Sequence, residues 1–308
     1  MSSRPLSRLG LKQSILAIAA FAVVVAACGS TGPGSGAPAS DEFKVVATTT
    51  VFADMIRNVA GDRAVVDSII PPGAGPEDYE PKPDDARKLA DADLVVSNGV
   101  GLDDFLDGLI EAAGEASAPR LVLADGLETI AVDGEENPHF WLDPTIVADH
   151  YVPAIEARLG ELDPAGSDAY AANAAAYIEQ IRAMDAMNQA KVDTIPAADR
   201  KLVTFHDAFP YFAAHYGFEL VGVIVENVGQ EPTASELAAL VETVKATGVK
   251  AVFSEAQFSP DLARTLADEA GVTEVVTTLY NDTVGPPPTD TYLKMMEWNV
   301  DEIVKALG

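Results

Sequence analysis

Four loops of the sequence carry imidazole or carboxylate side chains in settings that suit a divalent cation. His139 lies in the stretch NPHFWLDP, and His206 directly follows an apolar, strand-like segment. Asp282 follows the last such segment, and Glu77 lies in a loop rich in proline, glycine and acidic residues (71–85). Imidazole nitrogens and carboxylate oxygens are ligands for Zn²⁺ and Mn²⁺. These residues are scattered over about 200 positions, so their spacing alone does not join them into one site.

Each of these residues also has an ordinary structural interpretation. A loop histidine is often held by hydrogen bonds, and Glu77 can be a solvated carboxylate beside Asp78. His150 and His215 fall within predicted helices, and Asp143 precedes a proline as a helix N-cap does. We do not predict a ligand role for these last three residues.

Strands and helices are expected to alternate around these loops. Alternation of this kind predicts an α/β fold with parallel sheets, in which ligands bind beyond the carboxyl ends of the strands. The predicted strands are 44–49, 65–70, 94–98, 120–124, 201–205, 219–224, 250–254 and 274–279.

A long helix is predicted between the two halves of this pattern. Asp163 is its expected N-cap and Pro164 its first residue, and about 30 residues of helix would span about 45 Å. Its buried stripe is expected to contain Tyr170, Ala174, Tyr177, Ile178, Ile181, Met184 and Met187. The predicted domains are a signal peptide (1–27), a flexible tether (28–42), an N-terminal α/β lobe (43–162), a linking helix (163–196) and a C-terminal α/β lobe (197–308).

The N-terminal segment has the features of a lipoprotein signal. Basic residues without acids occupy positions 1–12, and a nearly unbroken apolar run ends in Val-Ala-Ala before Cys28. Cys28 is the only cysteine of the chain, so it forms no intramolecular disulfide. We therefore expect cleavage before Cys28, lipidation of its thiol, and an extracytoplasmic protein anchored to the bacterial cell membrane through that lipid.

Composition excludes one class of partner. Acidic residues outnumber basic residues 48 to 20, which gives a formal charge of −28 over 308 residues. A polyanion would be repelled across most of such a surface, so nucleic acid is excluded as a partner. The apolar fraction of 48% is that of a folded globular protein.

Six longer stretches of the chain carry a more specific signal. They are VVATTTVFADMIRNVAGD, DYEPKPDDARKLADADLVVSNGVGLDDFL, NPHFWLDP, FHDAFPYFAAHYGFEL, VFSEAQFSP and YLKMMEWNVDEI. With them the chain resembles the solute-binding lipoproteins of bacterial ABC importers for zinc and manganese, a ZnuA/TroA-like family. The resemblance implies two Rossmann-like lobes with parallel sheets, joined by one long backbone helix, with a metal site in the cleft between the lobes. It also implies a carrier, expected to be a monomer, that delivers its metal to an ABC permease and catalyses no reaction.

Carried over position by position, the resemblance implies metal ligands at His139, His206 and Asp282. At the first ligand position the family usually has histidine before an Asp-Tyr-Glu-Pro stretch, and this chain has Glu77 there. Glu255, at the end of a predicted strand, is expected to accept a hydrogen bond from a ligating imidazole, with a loop-capping role as the alternative.

Zn²⁺ and Mn²⁺ both suit this set of ligand atoms. Replacing an imidazole by Glu77 favours Mn²⁺, as does the lack of extra histidines in the segment 132–140. At equal geometry the Irving–Williams order favours Zn²⁺, which we expect as the transported ligand, with Mn²⁺ as the alternative.

Two other functions are weighed against metal transport. A binding protein for a metal chelate or small organic ligand would line its cleft with aromatic or basic residues. A metal-dependent hydrolase needs an open coordination position and a general base, and the sequence lacks the His-Glu-x-x-His spacing of one large class.

Overall fold

The computed structural model describes residues 42–77, 79–113, 118–132, 134–226 and 228–308. The predicted signal peptide, Cys28, the tether up to 41 and Asp78 lie outside the described residues. The strands are β1 Phe43–Ala47, β2 Ala64–Ser68, β3 Leu94–Ser97, β4 Arg120–Val122, β5 Ala131–Val132, β6 Glu135–Glu136, β7 Lys201–Thr204, β8 Glu219–Val223, β9 Ala251–Glu255 and β10 Glu274–Leu279. The helices are α1 Thr50–Ala60, α2 Pro83–Ala90, α3 Phe105–Ala113, α4 Pro144–Ile146, α5 Val152–Leu162, α6 Ser167–Val192, α7 Pro210–Tyr216, α8 Ala234–Thr247, α9 Asp261–Ala270 and α10 Tyr292–Leu307.

The N-terminal half is built on a parallel sheet with strand order β2-β1-β3-β4. The central strands β1 and β3 are apolar because the sheet is covered on both faces, and Val45, Val46, Val95 and Val96 are buried. This arrangement brings the carboxyl ends of β1, β2 and β3 to one edge, where the loop that carries Glu77 begins.

The C-terminal half repeats the pattern with two parallel pairs, β7 with β8 and β9 with β10. Strands β7 and β9 lie side by side, so His206, Glu255 and Asp282 follow or end neighbouring strands. The predicted α/β class with parallel sheets is therefore confirmed. A short antiparallel pair, β5 with β6, was not predicted because each of its strands has only two residues.

The long helix α6 lies between the halves and contacts α1, α5 and α10. It begins at Ser167 rather than at 163, after a 3₁₀ turn at Pro164–Gly166. Asp163 is the N-cap residue of that turn and Pro164 its first residue, but the carboxylate of Asp163 makes no capping hydrogen bond. It instead accepts hydrogen bonds from Arg63 Nη2 at 2.6 Å and from Tyr170 Oη at 2.7 Å.

The predicted apolar stripe of α6 is largely buried. Tyr170, Tyr177, Ile181 and Met184 are at most 2% exposed, whereas Met187 is 53% exposed, so its predicted burial is wrong. The buried stripe continues through Asn188 and Val192. Asn188 lies four residues after Met184 and stays closer to the buried face than Met187, which lies three residues after it.

The described residues from 42 to 308 form one compact unit, and the domain boundaries at 162/163 and 196/197 stay predictions. Within the described part of the chain, none of the helices combines the length and the apolar character needed to cross a bilayer.

Candidate metal centre

The four predicted ligands come from four separate loops and converge at one point. Glu77 lies in the loop after β2, and His139 directly precedes a 3₁₀ turn at Phe140–Leu142. His206 is the second residue after β7, and Asp282 is the third after β10. One donor atom from each of the four lies within 4.8 Å of all the others. A single cation can therefore reach all four side chains.

Both imidazoles turn the same nitrogen toward the centre. His139 Nε2 lies 3.6 Å from Glu77 Oε1 and 3.5 Å from Asp282 Oδ1. His206 Nε2 lies 3.6 Å from Glu77 Oε1 and 3.8 Å from Asp282 Oδ2. The side chains of His139, His206 and Asp282 are at most 5% exposed, whereas that of Glu77 is 24% exposed. Glu77 is thus the ligand candidate that faces solvent.

The ring of His139 is held by its own loop and by its neighbours. Asn137 Oδ1 lies 3.0 Å from His139 Nδ1 and accepts the backbone N–H of His139 at 3.1 Å. The ring also packs at 5.1 Å, between centroids, against Trp141. Asn137 therefore occupies Nδ1 of His139, and Nε2 faces the other three side chains. His139 Nε2 has no hydrogen-bond partner among the described residues.

His206 is positioned from its far side by a buried carboxylate. Glu255 Oε1 lies 3.3 Å from His206 Nδ1, and both side chains are at most 4% exposed. Burial lowers the pKa of His206, but the charges of Glu255, Asp282 and Glu77 outweigh it and raise that pKa to about 10. Burial raises the pKa of Glu255 itself, against the attraction of His206. Glu255 thus lies beside an imidazole, but neither of its oxygens has a hydrogen-bond partner among the described residues, and its predicted role as an acceptor for a ligating histidine stays a prediction.

Asp282 is held through one of its two oxygens. Gln257 Nε2 donates to Asp282 Oδ2 at 2.8 Å, while Oδ1 is buried and has no hydrogen-bond partner among the described residues. Burial opposes ionisation of Asp282, but the nearby ring of His139 and the charges of both histidines lower its pKa. The carboxylate is therefore ionised and leaves one oxygen free for a cation.

Three amide side chains around the centre were not predicted. Asn137 and Gln257 hold His139 and Asp282, and Asn281 Nδ2 lies 3.1 Å from His206 Nε2. The only signal for them in the sequence is their position within two residues of a site residue, because amides carry no charge and no distinctive spacing.

The other two histidines lie away from this centre. His215 on α7 lies between Asp185 Oδ1 at 2.7 Å and Asp143 Oδ1 at 3.2 Å, and it is not among the grouped residues. The side chain of Asp143 accepts the N–H of Thr145, so its predicted N-cap role is confirmed. His150 lies in a short π-helical segment, Val147–Tyr151, and is partly exposed.

A cavity of about 440 Å³ opens beside the loop that carries Glu77. The residues that line it include Tyr79, Phe258, Lys82, Glu80 and Gln257, of which Gln257 donates a hydrogen bond to Asp282. Gln257 therefore connects this cavity to the four-residue centre.

Comparison with known proteins identifies the family of this chain. Residues 45–306 match the ZnuA family, described as "Zinc-uptake complex component A periplasmic". The chain belongs to this family. The resemblance stated from the sequence is thereby confirmed, and the match spans both halves and α6.

Curated relatives in the family differ in the metal for which they are named. The manganese-binding lipoprotein MntA of Halalkalibacterium halodurans is 33% identical over 94% of this chain and 97% of its own length. The iron-binding protein YfeA of Yersinia pestis is 34% identical over 96% of each chain. Among solved structures, the periplasmic zinc-binding protein TroA of Treponema pallidum has a TM-score of 0.80 and 27% identity, covering 87% of this chain and 99% of its own. The members of the ZnuA family are metal-binding components of transporters, and family membership alone does not fix the metal.

Proposed function

We propose that this protein captures one divalent first-row cation outside the cytoplasmic membrane and delivers it to the permease of an ABC importer. The observation that carries the proposal is the convergence of Glu77, His139, His206 and Asp282 on one point. The relatives named as substrate-binding lipoproteins of ABC transporters support the delivery step.

Capture follows from the chemistry of these four groups. Two negative carboxylates and two imidazole nitrogens supply four ligands, which is the full set for tetrahedral Zn²⁺, and the burial of three of the four side chains limits competing water. Release requires that one ligand leave the centre. Glu77 suits that step, because it is the most exposed of the four and lies in a long loop rather than at a strand end.

Zn²⁺ is the cation that we propose to bind most tightly, with Mn²⁺ as the alternative cargo. The Irving–Williams order favours Zn²⁺ in a site of two nitrogens and two carboxylates. The carboxylate content of the same site supports Mn²⁺, and so does the relative named for manganese.

Anchoring and the absence of catalysis belong to the same proposal. Lipidation of Cys28 would hold the carrier at the membrane, next to the permease. A carrier that surrounds its cation with four protein ligands leaves no coordination position for a reactive water. A metal-dependent hydrolase, by contrast, keeps such a position open.

The cavity beside Glu77 supports a second candidate, a cation that arrives as a chelate with a small organic anion. Its volume lies in the range of small-molecule sites, and Tyr79, Phe258 and Lys82 provide the aromatic and basic groups expected for an organic anion. Under this proposal the four-residue centre would still contact the metal.

The test is a metal titration of the purified, metal-stripped protein against competing chelators. We expect one tight equivalent of Zn²⁺ and weaker but measurable Mn²⁺, both weakened by Glu77→Ala. Binding that requires an added organic anion would favour the chelate, and no tight binding in any form would contradict the proposal. Metal uptake by cells that lack the protein, restored by the wild-type chain and not by a Cys28→Ala variant, tests the anchored delivery.

A further inference from the structure

Asn281 occupies a position beside the centre that no motif of the sequence indicates. Its side chain is fully buried, and it directly precedes Asp282. Its backbone carbonyl accepts a hydrogen bond from Trp141 Nε1 at 2.8 Å, and the backbone of Tyr280 on its other side is held by Asn299. The backbone that carries the side chain of Asn281 is therefore held in place by hydrogen bonds.

Only one end of the side-chain amide of Asn281 has a hydrogen-bond partner among the described residues. Its nitrogen lies 3.1 Å from His206 Nε2, which is the nitrogen that faces Glu77 and Asp282. Its oxygen is buried and has no hydrogen-bond partner among the described residues. A buried carbonyl oxygen without a partner destabilises the folded protein, so this oxygen requires a donor or a cation.

Cation binding would remove the remaining partner of the amide. His206 Nε2 can accept a hydrogen bond from the Asn281 amide nitrogen only while its lone pair is free, so it cannot do so when it carries a proton or binds a cation. Half a turn about the terminal side-chain bond exchanges the amide oxygen and nitrogen, and that bond has two broad, nearly equivalent orientations. The oxygen would then point where the nitrogen does now, toward the centre.

Asp282 leaves room for such a donor. Its Oδ2 already accepts a hydrogen bond from Gln257, whereas its Oδ1 has no partner among the described residues, so Oδ1 is the oxygen more open to a cation. With one oxygen from Asp282, the four residues already described do not fill the coordination shell of a cation that takes more than four ligands.

We propose that the side-chain oxygen of Asn281 is a fifth protein ligand of the cation, and that it favours Mn²⁺ relative to Zn²⁺. This inference rests on the proposed function of cation capture. Carbonyl and carboxylate oxygens suit Mn²⁺, whereas Zn²⁺ is satisfied by four ligands and gains less from a fifth.

The test uses Co²⁺ as a spectroscopic probe, with Zn²⁺ and Mn²⁺ affinities measured in parallel on the purified protein. The variants are Asn281→Leu, which keeps the size and removes the oxygen, and Asn281→Asp, which keeps an oxygen. We expect the wild type to give the weak visible absorption of five-coordinate Co²⁺, and Asn281→Leu to give the stronger absorption of the four-coordinate ion. Mn²⁺ affinity should fall about tenfold in Asn281→Leu while Zn²⁺ affinity changes less than about threefold, and Asn281→Asp should keep the wild-type spectrum.

Two results would overturn the inference while leaving cation capture intact. An unchanged spectrum and an unchanged ratio of Mn²⁺ to Zn²⁺ affinity in Asn281→Leu would show that the oxygen does not bind. Tighter binding of both cations by Asn281→Leu would show that the amide only occupies His206 Nε2 in the cation-free protein. A wild type that binds none of the three cations would overturn the proposed function itself, and circular dichroism of each variant separates loss of binding from loss of folding.

Discussion

Glu255 Oε1 lies 3.3 Å from His206 Nδ1, in a part of the structure where both side chains are buried. The carboxylate stands behind the ring, on the side opposite the nitrogen that faces Glu77 and Asp282. It therefore adds negative charge beside the ring, and this charge attracts a cation without contacting it.

Replacing Glu255 by glutamine is expected to weaken Zn²⁺ and Mn²⁺ binding roughly 10- to 100-fold. The carboxylate of Glu255 attracts both the cation and the proton that competes with it on His206. Because the cation carries two charges, it loses more of this attraction than the proton does, and cation affinity falls. The pKa of His206 should also fall, so fewer protons are released on binding, which calorimetry in two buffers measures. Glu274→Gln, on an exposed carboxylate of β10, is the matched control, and equal affinities in the two variants would contradict the role of Glu255.

Replacing Glu77 by histidine should shift the preference of the centre toward Zn²⁺. The change converts two nitrogens and two carboxylates into three nitrogens and one carboxylate, so Mn²⁺ affinity should fall about tenfold or more while Zn²⁺ affinity is kept. Competition titrations with both ions measure the ratio. Glu80→His makes the same change on an exposed residue of the same loop, and a similar shift there would argue against Glu77 as a ligand.

Cation affinity should rise with pH. The pKa of His206 is raised to about 10 in the cation-free protein, because the attraction of Glu255, Asp282 and Glu77 outweighs burial. Below that pH a cation must displace a proton, so affinity should increase by up to about tenfold per pH unit for each proton displaced. Zn²⁺ titrations at about pH 6 and about pH 8 check this, and equal affinity at the two values would exclude a histidine ligand.

His215 should stabilise the fold most strongly in mildly acidic solution. Burial lowers its pKa, but the hydrogen bond to Asp185 and the charges of Asp143 and Asp185 outweigh burial and raise it above 6.5. The stabilisation is therefore fully present below about pH 6.5 and is lost as the pH rises through the raised value.

We expect His215→Ala to lower the free energy of unfolding by about 1.5–3 kcal/mol below that pH and by less above it. Urea unfolding of the cation-free protein at several pH values measures the difference. His150→Ala is the control, because this histidine forms no ion pair within the described residues. A loss of stability that is independent of pH would show that the charge of His215 contributes nothing.

The order of strands and helices was readable from the chain because it depends on local patterns. Runs such as 44–49 and 274–279 are apolar and β-branched, and the structure has β1 and β10 there. Errors lie at element ends and in side-chain partners. Asp163 stands at the N-cap position of the turn that leads into α6, but its carboxylate accepts a hydrogen bond from Arg63, 100 positions away in the sequence, and not from the helix backbone.

The sequence by itself determined the fold class, the buried strands and the residue types able to bind a cation, since these follow from side-chain chemistry and short-range periodicity. Only the tertiary structure decided that four such residues converge within 4.8 Å, and that Asn137, Gln257 and Asn281 stand around them. Convergence depends on strand order and on the packing of both halves along α6. Those contacts join residues far apart in the chain, and no local spacing of residues records them.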